Sequence, residues 1–139
     1  MEQKDKELLL KDLCARLPYG VKLQLYNGEL DNDVLNSIDT EEYIIVNGKD
    51  DIENIKPYLF HLSSMTEEQY NSLHELGILD NCSHSYEYIN PHIHGVSFIF
   101  KQFKTYSLDL IEWLNKNHFD YRGLIPKGLA IDATGLNIY

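Results

Sequence analysis

Basic residues, cysteine and proline are all scarce in this sequence. Among its 139 residues, 12 Lys and Arg stand against 22 Asp and Glu, with two cysteines and four prolines. Two cysteines cannot build the disulfide framework of a small secreted domain, so reduced thiols are expected. No apolar run has the roughly 20 residues of a membrane span, and the first residues are too polar for a signal peptide. We therefore expect a cytoplasmic protein without a membrane anchor.

Sequence motifs that carry known chemistry are also missing. The chain contains no nucleophile elbow, Walker loop, dinucleotide-binding fingerprint, zincin helix or EF-hand loop. It therefore offers no motif for a cofactor, and we expect a protein that is not an enzyme. What is present is an ordinary globular composition, 43% hydrophobic and 24% charged. A chain of this length buries enough surface to fold as one domain without disulfides or a structural metal, so we predict a single domain over residues 1–139.

The negative charge is concentrated in the middle of the chain. Residues 27–90 hold fourteen acidic side chains and only two lysines, whereas the segments on either side are nearly neutral. An acidic segment repels phosphate backbones, and no stripe of Lys and Arg elsewhere would release counterions from nucleic acid. Direct binding of DNA or RNA is therefore disfavoured, and a solvated or protein-binding acidic surface is favoured.

Hydrophobic periodicity predicts an α+β fold with three helices, over residues 4–17, 67–76 and 108–117. Thr66 and Gln69 form a capping-box pattern before the second of these helices. Residues 20–47 have short alternating runs and the hairpin dipeptide Asn27-Gly28, which predicts a small antiparallel meander. Residues 52–62 contain Pro57 and are predicted to be extended.

The segment from residue 78 to the third helix is less regular. Polar residues predict a loop over 78–95 with a strand at 86–89, and residues 96–103 alternate as a strand or begin a buried helix. The tail, 124–139, mixes glycine and proline with apolar residues, so it should be irregular yet packed on the domain. Cys14 falls on the first helix, where we expect it to be buried as a small apolar residue.

Three strings in the chain carry a resemblance to a known group. They are HFDYRGLIPKGLAIDA, which ends at Ala133, KELLLKDLCARLPYGVK near the start, and IKPYLFHLSSMTEEQ in the middle. Together they resemble a group of small proteins from gut Bacteroidales and their phages and mobile elements. That resemblance implies a phage or mobile-element origin, but no fold, activity, cofactor or site residue. His61 departs from the pattern, because a proline is expected there.

The same DYRGLI string suggests an anion-binding site. Tyr121, Arg122 and Lys127 would place a phenol, a guanidinium and an ammonium near the flexible Gly123, and a guanidinium binds carboxylate or phosphate bidentately. We add His92 and His94 to this set of candidate ligand-binding residues. The competing interpretation, which we favour, is structural: Arg122 pairs with Asp120 or Asp132 and holds the tail in place.

A second set of candidates lies in the polar stretch between residues 80 and 95. Two residue pairs, Cys82 with His84 and His92 with His94, are potential zinc ligands, but Cys-x-His followed by His-x-His matches no standard finger. We favour a solvated loop and expect no metal. Tyr86 and Tyr88, two residues apart, would share one side of a strand and form a partner-binding surface, unless they pack as core and edge residues.

Fragments of a catalytic dyad are present as well. His118 and Asp120 lie close in sequence, and Cys14 or Cys82 could act as a nucleophile, but sequence proximity does not bring a nucleophile to its base. We therefore predict no catalytic residue.

Two functions from different classes remain. The first is a non-enzymatic acidic interaction protein of phage or mobile-element type that binds a host or viral protein. The second is a counter-defence protein that sequesters an anionic metabolite or nucleotide around Arg122. A small hydrolase is a third class, and it requires a cleft in which His118 or His92 meets a nucleophile.

Overall fold

A computed structural model describes residues 1–24, 33–34, 37–38, 43–45, 49–51, 55–75 and 108–139. Contacts divide the chain into two compact units. The first unit comprises Met1–Leu59 with Arg122–Tyr139, and the second comprises Phe60–Tyr121. Each unit contains its own cluster of buried apolar side chains.

Helix α1, Gln3–Arg16, buries one face that includes two charged residues. Leu9, Asp12, Leu13 and Arg16 are all fully buried, at the i, i+3, i+4, i+7 spacing of a single helical face. Cys14 lies outside this face and is exposed, so the expectation that it is buried was wrong. A 3-10 turn, Leu17–Tyr19, follows, and Gly20 ends it in the left-handed conformation at φ 67°.

The strands of the first unit are short and mostly antiparallel. Strand β1, Lys22–Gln24, pairs antiparallel with β2, Asp33–Val34, and with β6, Lys56–His61. Strands β3, Ser37–Ile38, β4, Tyr43–Ile45, and β5, Lys49–Asp51, form an antiparallel meander in chain order. Strand β8, Ile131–Asp132, adds a parallel pairing to β6. The dipeptide Asn27-Gly28 lies outside the described residues.

The core of the first unit joins α1 to strands β1 and β6 and to the tail. Its buried members are apolar residues from all three parts of the chain: Leu9, Leu13, Val21, Leu23, Ile55, Leu59, Leu124, Leu129 and Ala130. The expectation that the tail packs on the domain is therefore confirmed. Burial of side chains of this kind contributes about 1.5–3 kcal/mol each, which is what holds an otherwise irregular tail in place.

The second unit contains α2, Glu67–Glu75, α3, Leu108–Lys116, and the short strand β7, Phe119–Asp120, which runs parallel to the end of β6. A 3-10 turn, Leu62–Ser64, follows β6. The core of this unit is formed by residues from both helices and the strands: Met65, Tyr70, Leu73, Leu110, Leu114 and Phe119. Trp113 stacks on Phe119 with ring centroids 5.7 Å apart.

These elements confirm the α+β class, with three α-helices and a mixed sheet within the described ranges. The predicted helices match the observed ones within a few residues, and residues 56–61 are extended as expected. The parallel pairings of β6 with β7 and β8 were not predicted, because strands of two residues carry no periodic signal. Gly77 and residues 78–107, with the strand and loop predicted there, lie outside the described residues.

The capping box at α2 is confirmed and gives a first testable prediction. The Thr66 backbone N–H donates to Gln69 Oε1 at 2.9 Å, and the Gln69 N–H donates to Thr66 Oγ1 at 3.2 Å. We expect Thr66→Ala to lower the free energy of unfolding by about 0.5–2 kcal/mol, because an N-terminal donor of the helix loses its acceptor. Urea denaturation measures this loss. Thr66→Ser is the control, and equal losses in the two variants would contradict the assignment.

Candidate functional site

An open groove on α2 is lined by acidic and small polar side chains. Glu67, Glu68 and Glu75 are exposed there, as are Thr66 and Asn71, whereas Ser72 is partly buried. No basic residue is among the lining residues that the structure describes. We name this surface, Glu67, Glu68, Asn71, Ser72 and Glu75, the α2 acidic face. The opposite side of the helix buries Tyr70 and Leu73 in the core of the second unit. The acidic face is therefore held in place by packing and cannot turn inward.

The carboxylates of the α2 acidic face create a local negative potential. Glu67 and Glu68 lie in the first turn, where the helix dipole stabilises negative charge by about 0.3–1 kcal/mol. Glu75 ends the helix, where the same dipole disfavours a carboxylate. With no basic lining residue among those described, this surface attracts cations.

The structure places Arg122 against helix α1. Its Nη1 lies 3.8 Å from Oδ1 of the fully buried Asp12, and 17% of the Arg122 side chain is exposed. Asp12 Oδ1 has no hydrogen-bond partner among the described residues. The Arg122 guanidinium is a charged group that faces this oxygen atom. The pairing of Arg122 with Asp120 or Asp132 stays a prediction. The ion pair with Asp12 joins Arg122 to α1, which is a structural role of the kind that we favoured.

Asp12 also holds the buried Arg16. Arg16 Nε donates to Asp12 Oδ2 at 2.7 Å, and neither side chain is exposed to solvent. Transferring two charges from water costs several kcal/mol per ion, and the mutual attraction offsets this only with good geometry such as this short contact. Sequence analysis missed the pair, although the i, i+4 spacing of an acid and an arginine was a usable signal.

The other two members of the predicted anion site make their own contacts. Lys127 Nζ lies 3.4 Å from Asp5 Oδ1 at the surface, with the lysine side chain 52% exposed. The Tyr121 hydroxyl donates to Asn115 Oδ1 at 2.9 Å within the second unit. Arg122 and Lys127 both belong to the first unit, where each faces an acid of α1. The described contacts thus direct these groups toward protein side chains.

His118, Asp120 and Cys14, which sequence analysis considers as fragments of a catalytic site, differ in secondary structure and in burial. His118 follows α3 with a positive φ of 62°, and its carbonyl accepts a hydrogen bond from the Phe60 N–H at 2.8 Å. Asp120 is buried in β7, and Cys14 is exposed on α1 in the first unit. His118 therefore has a clear role in the chain connection between α3 and β7.

Several predicted site residues lie outside the described part of the chain. They are the candidate ligand-binding residues His92 and His94, the candidate partner-binding residues Tyr86 and Tyr88, and the potential zinc ligands Cys82 and His84. Within the described ranges, no three His, Cys, Asp or Glu side chains are grouped so that they could hold a metal ion. Among the helices of those ranges, none has the length and apolar character that a membrane crossing needs.

A further polar cluster, not anticipated from the sequence, surrounds Tyr139. The Tyr139 hydroxyl donates to the Tyr58 carbonyl at 2.8 Å and accepts from the Lys22 backbone N–H at 2.9 Å. Lys22 Nζ donates to the Ile138 carbonyl and lies 5.7 Å from the centroid of the Tyr139 ring. No sequence pattern connects residues so far apart in the chain.

Burial shifts the pKa of the Tyr139 hydroxyl. Although 42% of the residue surface is exposed, burial of the hydroxyl raises its pKa from 10.0 to about 12. The hydrogen bond from the Lys22 backbone and the charge of Arg16 oppose this increase. The neutral phenol is therefore the form that the fold stabilises.

Comparisons of the chain with protein-family models, with curated proteins and with solved structures find no match.

The buried ion pair gives a second prediction. We expect Asp12→Ala to lower the free energy of unfolding by about 3–5 kcal/mol, because the Arg16 guanidinium stays buried without this carboxylate. The double variant Asp12→Leu/Arg16→Met removes both charges and should be destabilised less than the single variant. Asp5→Ala, which removes the surface pair with Lys127, should cost under about 1 kcal/mol. Urea denaturation compares all three, and a loss below 1 kcal/mol for Asp12→Ala would refute the prediction.

The raised pKa of Tyr139 gives a third prediction. Because the folded-state pKa exceeds the unfolded value, its contribution to stability is complete below pH 10 and is lost as the pH rises toward 12. Phenylalanine cannot ionise, so the stability difference between wild type and Tyr139→Phe should shrink across this range. Denaturant unfolding of both proteins between pH 8 and 12 tests this. A difference that stays constant would show that the hydroxyl does not ionise with a raised pKa.

Proposed function

We propose that this protein is a non-enzymatic interaction protein of phage or mobile-element type, which binds a basic host or viral protein in the cytoplasm. The observation that carries this proposal is the α2 acidic face, where three exposed carboxylates line a groove that has no basic residue among its described lining. The resemblance of the DYRGLI region to proteins of gut Bacteroidales and their phages supports the proposed setting. The residues Tyr86 and Tyr88 remain predicted contributors to a partner surface.

The charge distribution supports a basic partner. Residues 27–90 carry fourteen acids against two lysines, so the α2 acidic face belongs to the most acidic part of the chain. In contrast, the described cations Arg16, Arg122 and Lys127 each lie close to an acid of α1. Those ion pairs neutralise part of the charge of the first unit, whereas no described basic residue lines the α2 acidic face.

The dimensions of the face suit a short basic segment. Glu75 lies eight positions after Glu67, which corresponds to about 12 Å along a helix axis. Lysine or arginine side chains of a partner can contact this length from a single turn or strand. Each exposed ion pair of this kind contributes only about 0.2–1 kcal/mol to binding. The α2 acidic face would therefore increase the association rate and the selectivity for basic partners, while other contacts provide most of the affinity.

A matched pair of charge variants tests the proposal. The test variant is Glu67→Gln/Glu68→Gln/Glu75→Gln, and the control, Glu2→Gln/Asp109→Asn/Glu112→Gln, removes the same charge from exposed positions elsewhere. Asp109 matches the helix-dipole effect, because it too lies in the first turn of its helix. Each protein is immobilised and exposed to a Bacteroidales lysate, and retained proteins are quantified at low and high salt.

We expect wild type and the control to retain the same basic protein, and the test variant to retain it about 10-fold less, as the loss of three exposed ion pairs implies. High salt should weaken retention by wild type, since exposed charges are screened. Equal retention by the test and control variants would contradict a role for the α2 acidic face. Thermal unfolding of each variant establishes that all three proteins are folded.

The alternative function is sequestration of an anionic metabolite or nucleotide around Arg122. It is favoured by the partial exposure of the Arg122 side chain and by the half-exposed Lys127, both in the first unit. An anion would have to compete there with Asp12 and Asp5. Thermal unfolding with inorganic phosphate or a nucleoside diphosphate discriminates between the functions, because a ligand that binds the native state raises Tm with its concentration. A rise abolished by Arg122→Gln would favour this alternative.

A further inference from the structure

The Tyr139 hydroxyl occupies a place where two strands would be expected to bond directly. Strands β1 and β6 are antiparallel, with Leu23 opposite Pro57 and Gln24 opposite Lys56. This register brings Lys22 opposite Tyr58. Opposed residues alternate between hydrogen-bonded and non-bonded pairs, and Pro57 has no N–H to exchange, so Lys22 and Tyr58 fall at a bonded position.

At this position the phenol takes part in both hydrogen bonds. It accepts from the Lys22 N–H and donates to the Tyr58 carbonyl, so it links the donor of one strand to the acceptor of the other. Lys22 Nζ adds a cation 5.7 Å from the ring centroid, in the range of cation–π attraction. The Lys22 N–H, the Tyr58 carbonyl and the Lys22 ammonium thus match the acceptor oxygen, the donor O–H and the aromatic face of a phenol.

We propose that this slot between β1 and β6 is a phenol-recognition site that the chain occupies with its own Tyr139, and that a phenol or tyrosyl side chain supplied by another molecule binds there when Tyr139 is removed. Two of its three contacts come from the backbone of paired strands, so they do not depend on the Tyr139 side chain for their position. The ring of Tyr139 is partly exposed, and the slot therefore opens to solvent.

The energetics favour an occupied slot. Without the phenol, the Lys22 N–H and the Tyr58 carbonyl lose the hydroxyl that they share, and each hydrogen bond of this kind contributes about 0.5–1.5 kcal/mol. A ligand with a hydroxyl on an aromatic ring satisfies both groups, whereas a plain aromatic ring satisfies neither. The site belongs to the first unit and does not involve the α2 acidic face, so this inference and the proposed function can fail independently.

Thermal unfolding of the full-length Tyr139→Gly variant tests the site, with p-cresol as the phenol, N-acetyltyrosinamide as the tyrosyl compound and toluene as the ring without a hydroxyl. We expect p-cresol to raise Tm by about 3 °C at roughly five times its Kd, in a saturable manner. N-acetyltyrosinamide should also raise it, and toluene should have a much smaller effect. Wild type and Tyr139→Phe, in which a ring already fills the slot, should not respond.

If Tyr139→Gly folds alone, three results would overturn the proposal. The first is no change in Tm of Tyr139→Gly with p-cresol, as expected if Lys22 and Tyr58 bond directly and close the slot. The second is an equal change with toluene, and the third is an equal change in wild type. If Tyr139→Gly does not fold alone, p-cresol must restore its near-ultraviolet circular dichroism, and failure to do so also overturns the proposal. A response to p-cresol but not to N-acetyltyrosinamide would restrict the site to free phenols and exclude a tyrosyl side chain.

Discussion

The buried ion pair between Asp12 and Arg16 is the main electrostatic constraint on the packing of helix α1 in the first unit. Both side chains are fully buried on the face of α1 that carries Leu9 and Leu13, so neither charge can lose its partner without a large cost in stability. The second oxygen of Asp12 faces Arg122, and Asp5 on the same helix faces Lys127. Helix α1 therefore supplies acids for Arg122 and Lys127, the two cations of the candidate anion site.

This internal pairing changes the balance between the candidate functions. An anion site near Arg122 would have to displace or share carboxylates that are already in place, one of them buried. The carboxylates of the α2 acidic face, in contrast, are exposed and have no basic lining residue among those described. Exposed surface charge contributes little to folding, and its clearest physical effect is on association with a charged partner. We therefore favour protein binding over anion capture.

The sequence predicted those features that depend on local patterns. The three helices followed from hydrophobic periodicity, and the reciprocal hydrogen bonds of Thr66 and Gln69 followed from the capping-box residues. Features that join distant residues were not accessible in this way. The parallel partners of β6 have two residues each, and the Tyr139 bridge connects residues more than 80 positions apart. Cys14 was misassigned because the apolar pattern of α1 concealed a buried face that includes Asp12 and Arg16.

The claim that the α2 acidic face binds a basic partner is tested most directly by nuclear magnetic resonance. Titration of the isotope-labelled protein with an oligolysine peptide follows each backbone amide separately. We expect the amide signals of residues 67–75 to shift in a salt-dependent manner, while those of α1 stay unchanged. Signals of α2 that do not move, or that move equally at low and high salt, would contradict the account.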